Sequence, residues 1–562
     1  MADAHSACRT HARRAAIVVA LAAAFVSVAT FASAAVTGMQ RASVIGASTE
    51  IAGTNAMPSM SADGRYVAFE SDATMTISAW AYASGPSIYL RDRDAGTLTL
   101  VTSGLGARAS GPSHAPVLSA DGRYVVFTSR ASNLITSTDL ITNAGVYRWS
   151  VATHTVERVD VVSGASPLAW NGGLAGSPSG DWWYTAVSDD GRYVAYCAPA
   201  AQGSSTLQVY VRDMARTDEG AITLASVDQA GRPGARFSTH PAISADGSIV
   251  AFVTSSPLAS DDTNSIRDVY VRDLAHALTL RASAPAAGAI GPSGSSDWPS
   301  LDASGTLVSF VSSASNLVTE TLALNLSTHL VPFNAYVRDL GSGATELVSV
   351  TSSGSATDDC SRPVLSHDGR YVAFQSKADN LHVVNGVYAY WTLFVRDRSR
   401  PAGELSAVAS QAVQPNDSGS SIGFTSDARY VVFSSEASNL VSGDTNGKRD
   451  VFLFEYKYKA TPKLSTPKLS TSYVRKNRSF YISGTVSQHA GAQGVVKLMI
   501  YKRRSGSDYY KTVTVYTAVN GTSYRKKLSL PSTGKWYVRA AHVECEFYKA
   551  AYSSYRYFTV YR

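Results

Sequence analysis

Residues 119–129 read SADGRYVVFTS: an Asp-Gly pair, then an alternating apolar run. Asp-Gly supplies the positive φ that a tight turn needs, and the run after it has the two-residue period of a half-buried strand. The phrase returns as SADGRYVAFES at Ser61, SDDGRYVAYCA at Ser188 and SADGSIVAFVT at Ser244. It returns again as DASGTLVSFVS at Asp302, SHDGRYVAFQS at Ser366 and TSDARYVVFSS at Thr425. Seven copies, starting 56 to 69 residues apart, make the repeat the organising fact of the chain.

Each copy follows one order. A short apolar lead such as PVLSADG reaches the turn, an alternating strand follows, and a variable loop comes next. A third strand reads IYLRD, VYVRD, VYVRD, AYVRD or LFVRD, ending at Asp92, Asp213, Asp273, Asp339 and Asp397, and a fourth run such as TELVSV completes the unit. Four short strands per period of about 60 residues, without helical periodicity, predict an all-β, seven-bladed β-propeller over residues 37–456. After DVFLFEY (Asp450–Tyr456) no fourth strand follows, but TGMQRASVIG (Thr37–Gly46) has the character of one. An N-terminal strand therefore closes the last blade and leaves no exposed edge. The competing count is six blades plus an irregular insert, because the third copy is widely spaced and opens aberrantly with GDWWYTAVSDDG.

The phrase SxDGRYVAF followed by VYVRDL resembles the TolB-like propeller repeat, a relative of the WD-type repeat, and the resemblance spans Thr37 to Tyr456. It implies the fold and no single activity, since such repeats serve periplasmic scaffolds, peptidase accessory domains and polysaccharide lyases alike. The Asp-Gly and Arg-Asp pairs recur in nearly every copy, whereas a catalytic site is made once. Their glycines supply turn conformations, their aspartates accept backbone N–H bonds, and their arginines are expected to brace neighbouring blades.

The ends differ from the body. Residues 1–34 carry Arg9, Arg13 and Arg14, an Ala-rich apolar run and Ala32-Ser33-Ala34, the pattern of an export signal peptide. This predicts a secreted or cell-surface protein without a transmembrane span after cleavage. Cys197, Cys360 and Cys545 have no metal-ligand spacing and are expected as free thiols, the first two within the repeats. From Lys457 onward 20 Lys and Arg face 3 acidic residues, while the preceding 456 residues carry 30 basic against 40 acidic groups. Residues 457–472 contain ATPKLSTPKLSTS and read as a linker; residues 473–562 hold strand-like runs with turn signals and predict a small basic β-sandwich, resembling the immunoglobulin-like modules of secreted actinobacterial proteins. Its Lys and Arg interleaved with Tyr suit an anionic cell-wall polymer, and export argues against nucleic acid.

Among catalytic signatures only GSSIG (Gly419–Gly423) occurs, and its place at the start of the seventh repeat gives Ser421 no strand-turn-helix setting. Two loops, DDTNSIRD and DTNGKRD, set Asp262, Asn264 and Asp268, and Asp444, Asn446 and Asp450, as D-x-N-x-x-x-D. Oxygen side chains so spaced suit a hard cation, making Ca²⁺ the one candidate cofactor. Four places before the first residue of each phrase stand Met57, Ala115, Tyr184, His240, Trp298, Arg362 and Ser421; one place earlier stand His114, Trp183 and Asp297, among others. In a propeller these positions meet at one end of the central channel. Unlike the repeat consensus they differ from copy to copy, as a binding site requires. Trp183, Tyr184, His240, Asp297, Trp298 and Arg362 form the predicted site for a carbohydrate or protein ligand, mixing stacking faces with polar groups. The expected function is a non-catalytic binding scaffold with a basic tail at the cell envelope. The alternative is a polysaccharide lyase or hydrolase acting through His240, Arg362 and Asp297.

Overall fold

The structure is a computed structural model describing residues 39–562 apart from 47, 74–84, 105–106, 137–144, 162–183, 201–205, 287–293, 326–327, 352–353, 382–390, 400–404, 408–421, 427, 438–439, 442–443, 457–462, 472, 488–494, 504–508, 521–522 and 543–550. The predicted signal peptide, Trp183, Ser421 and Cys545 lie outside the described residues. The chain divides into two compact units, Met1–Tyr456 and Lys457–Arg562. Among the described residues no helix is long and apolar enough to cross a membrane.

The described strands of the first unit include seven four-stranded antiparallel sheets. In the second of them, Ser113–Leu118, Tyr124–Ser129, Gly145–Ser150 and Val156–Arg158 pair in sequence order, joined first to second by the Asp-Gly turn. Alternation puts one aromatic of the second strand opposite one of the third in every sheet, as with Phe127 and Tyr147. Their ring centroids are 5.9 Å apart, and the six equivalent pairs, from Phe69–Tyr89 to Phe433–Phe452, span 5.7 to 6.1 Å. Seven aromatic rungs, each worth about 1 kcal/mol beyond the area it buries, hold the middle of the sheets.

The turns explain how sheets join. Gly64, Gly122, Gly191, Gly247 and Gly369 have φ between +67° and +77°, and a Cβ on Gly122, Gly191 or Gly247 would strike the tyrosine ring of the preceding sheet, Tyr66, Tyr124 or Tyr193. Glycine is thus required twice over, by backbone conformation and by the approach of the neighbour. The turns are also linked through the backbone: Ala62 N–H donates to Ala120 O, Asp121 to Asp189, Asp189 to Ala245, Ala245 to Ala303 and Ala303 to His367. The seventh turn returns to the first, Ser426 N–H donating to Ala62 O at 3.0 Å. Turn aspartates accept backbone N–H bonds as expected, Asp121 from Arg123 at 3.0 Å and Asp190 from Arg192 at 2.9 Å. The turn arginines mostly brace their own sheet: Arg65, Arg192, Arg370 and Arg429 pair with Asp92, Asp213, Asp397 and Glu455. Contact with a neighbouring sheet is made by Arg93, Arg123, Arg148 and Arg398.

The ring is sealed by the chain's N-terminal side. Met39–Arg41 pairs antiparallel with Asp450–Glu455, Gln40 opposite Leu453, and supplies the fourth strand of the last sheet. The result is a propeller-like all-β ring. Cys197 and Cys360 are buried thiols, the pKa of the second pushed up to about 12 by burial.

In the second unit a ten-stranded sheet runs from Lys463–Leu464 to Val474–Arg475. Phe480, Ile482 and Tyr524 from one part of it share a core with Leu498, Ile500, Trp536 and Val538 from another, so the sheet closes over a single apolar interior.

Candidate functional site

In five sheets the first strand is broken by a bulge, where the pairing register shifts between Ala56 and Ser59, His114 and Val117, Thr239 and Ala242, Asp297 and Ser300, and Ser361 and Val364. At each bulge one non-glycine residue is left-handed: Met57, Ala115, His240, Trp298 and Arg362 have φ between +49° and +56°. Such a conformation costs about 1–3 kcal/mol per residue. All five precede a proline, Pro58, Pro116, Pro241, Pro299 and Pro363, which has no N–H to give the ladder. The bulge re-aims the side chain. All five, with Tyr184, line one axial cavity of about 320 Å³.

Its chemistry concentrates in four residues. His240 lies 4.1 Å from Trp298 and 4.8 Å from Tyr184 between ring centroids, and Tyr184 meets Trp298 edge-on at 5.1 Å. The Arg362 guanidinium sits 4.2 Å over the Trp298 ring and donates to the Tyr184 hydroxyl at 3.3 Å. Asp297, on the outer side of His240, accepts from His240 Nδ1 at 3.1 Å and pairs with Arg267 at 3.0 Å. Burial raises the Asp297 pKa, yet the His240 hydrogen bond and the charges of His240 and Arg267 hold it below the ordinary carboxylate value. Asp297 is thus an ionised brace for His240. The structure brings Tyr184, His240, Trp298 and Arg362 together at the cavity with Asp297 behind them. His114 stands apart, facing Glu70 at 3.4 Å.

The two D-x-N-x-x-x-D loops close on arginines. Arg281 lies 2.8 Å from Asp261, 3.8 Å from Asp262 and 3.7 Å from Asp268. Arg41 lies 2.8 Å from Glu50, 3.5 Å from Asp444 and 3.6 Å from Asp450. Both arginines begin an Arg-Ala-Ser sequence on a fourth strand, and both serines donate to the loop's last aspartate: Ser283 to Asp268 at 2.5 Å and Ser43 to Asp450 at 2.6 Å. Asn264 and Asn446 turn their side-chain oxygens to the backbone N–H groups of Ile266 and Lys448. Glu50, Asp444 and Asp450 offer oxygens close enough together to hold a metal ion. In this geometry a guanidinium supplies the positive charge.

Arg267 was not legible as a site residue. It ends the first of these loops, immediately before Asp268, and only folding carries it to Asp297. The five prolines were the overlooked signal for the bulges. At the other end of the axis, His367 Nε2 meets Asp189 at 2.7 Å, joining the sixth sheet's turn to the third's. A second cavity, of about 740 Å³, opens beside the sealing strand; among its lining residues Arg65 is paired with Asp92, and Arg93 donates to Gly64 O and Gln40.

No protein-family model matches the chain, and comparison with curated proteins finds no match. Among solved structures it is similar to prolyl endopeptidases, with 10% identity over 78% of this chain and 55% of theirs and a TM-score of 0.43. A puromycin-hydrolyzing peptidase of Mycobacterium tuberculosis gives 13% identity over 79% of this chain and 60% of that one, with a TM-score of 0.39. The chain thus spans little more than half the length of these two peptidases. A Trypanosoma rangeli sialidase in complex with the inhibitor DANA gives 9% identity over 87% and 83%, with a TM-score of 0.30. These are distant likenesses, and the chain's own residues define its site.

Proposed function

We propose that this protein is an exported, seven-bladed β-propeller of TolB-like type followed by a basic β-sandwich, and that it acts as a non-catalytic binding module at the cell surface. Its ligand is a carbohydrate or a protein segment held at the mouth of the axial cavity, while the basic tail keeps the molecule at the envelope. One observation carries the reading: a repeated, strained bulge aims a different side chain into one cavity from each of five sheets. Tyr184 and Trp298 offer apolar surface there, and His240 and Arg362 offer directed hydrogen bonds, the mixture a sugar ring or peptide needs. The Asp262–Asp268 loop serves this site as a strut, since Arg281 anchors it and Arg267 within it reaches Asp297.

A glycan array compared between the wild type and Trp298→Ala tests the proposal. The expected result is a defined glycan set lost in the variant; unchanged binding would remove the cavity from the function. The second reading is a glycan-cleaving enzyme, favoured by the His240–Asp297 pair, an arrangement that orients a general base. Against it, Arg362 is engaged with Trp298 and Tyr184 rather than poised beside His240. Release of unsaturated or reducing ends that is lost in His240→Ala would establish the enzyme instead.

A further inference from the structure

The second unit carries an outer face built as a site. In strands Val495–Arg503, Gly534–His542 and Arg556–Tyr561, the inward residues Leu498, Ile500, Trp536, Val538 and Val560 are buried in the core. The alternate residues point the other way, and the register sets Tyr501 opposite Tyr537 and Tyr537 opposite Tyr557. Tyr501 and Tyr537 stack at 4.6 Å with 18° between planes; Tyr557 lies 5.5 Å from Tyr537, and Tyr555 4.9 Å. Arg539 stands beside them, its guanidinium 4.3 Å over Tyr552 and 5.0 Å over Tyr555, donating to the Tyr555 hydroxyl at 3.3 Å. Tyr552, Tyr555 and Tyr557 are 56%, 44% and 61% exposed. No described residue of this unit is acidic: Asp508, Glu544 and Glu546 all lie outside the described residues.

We propose that this tyrosine–arginine face docks an acidic, carboxylate-bearing polysaccharide, an inference that rests on the envelope-attachment reading of the tail and gives that attachment its residues. The charge balance calls for an anion; Arg539 donates through Nε to Ser553 O and through Nη1 to Tyr555, and its remaining Nη hydrogens can meet a carboxylate. The exposed rings of Tyr552 and Tyr557 suit the apolar faces of sugar rings, which a glycerol-phosphate chain lacks. Tyr501 and Tyr537 are spaced like neighbouring strands and nearly parallel, so they stand upright and present ring edges and hydroxyls. Their facing sides are spent on each other, so no base can insert between them. Preorganised tyrosines also lose little entropy on binding.

The test uses the full-length protein and polygalacturonate, with its fully methyl-esterified form as the neutral control. Binding to the acid form is expected, weakened about tenfold by Arg539→Gln and by Tyr552→Ala with Tyr557→Ala. A Lys526→Gln, Lys527→Gln variant, altered on another strand, is expected to stay within about twofold. Unchanged thermal melting shows that each variant is folded. Equal binding by all variants overturns the inference, as do preference for single-stranded DNA or self-association that Tyr557→Ala abolishes. Retention on isolated cell walls separates the two claims. Walls that hold the face variants as well as the wild type refute this face and keep envelope attachment, whereas walls that fail to hold the wild type refute attachment itself.

Discussion

Gly191 shows what one missing methyl group secures. Its φ is +74°, and a Cβ there would overlap the Tyr124 ring of the preceding sheet. Gly191→Ala combines backbone strain with overpacking and is expected to destabilise the first unit by about 3 kcal/mol in urea denaturation. The seventh repeat makes the reverse case, because Ala428 holds the same place at φ +55°. Ala428→Gly should stabilise by about 1 kcal/mol; a loss of stability would show that the Ala methyl group packs better than the strain it imposes. The Asp-Gly phrase was readable because both demands fall on one residue. The left-handed residues before Pro58, Pro116, Pro241, Pro299 and Pro363 were not, because only the pairing register reveals a bulge.

At the scale of elements, the D-x-N-x-x-x-D loops show where sequence reading stops. Their oxygens suggest a cation, but Arg41 stands some 400 residues from Asp444 and Asp450 in the chain, so no local pattern names it. Arg281→Met strands three carboxylates and should cost about 3–5 kcal/mol, while a calcium chelator should leave the wild-type melting temperature unchanged. A chelator-induced drop would establish the calcium reading instead. Burial raises Asp268 and Asp450 from 3.8 to about 6. Between those values the folded state holds protons that the unfolded state has released, so both residues make stability fall as pH rises through that window. Asp92, Asp213 and Asp397 are shifted the opposite way, and their contribution is lost only as pH falls below the ordinary carboxylate range. Asp268→Asn should therefore flatten the decline between about pH 4 and 6 in a series of urea melts; an unaltered slope would exclude Asp268 as its source.

For the whole molecule, closure rests on three residues. Met39–Arg41 supplies the last sheet's fourth strand, and Arg41 also fills the loop beside it. A chain lacking residues 39–43 exposes the edge of Asp450–Glu455 and leaves Asp450 buried without its partner. It should unfold at lower denaturant and aggregate on refolding, read by urea titration and light scattering. Retained stability would mean that the ring does not depend on this seal. The repeat made the ring and its closure readable from sequence. Spacing alone did not reveal which unlike residues touch, because His240, Asp297 and Arg267 come from different strands and loops.

The axis is bolted across at both ends between the same two sheets: Arg362 reaches Tyr184 at one end, and His367 reaches Asp189 at the other. Of the eight residues whose backbones link the turns at that second end, Asp121, Asp189 and His367 carry ionisable side chains; the rest are Ala62, Ala120, Ala245, Ala303 and Ser426. The first unit's axis is therefore crossed by a side-chain bridge at each end. Passing an extended strand along that axis would require both bridges to open.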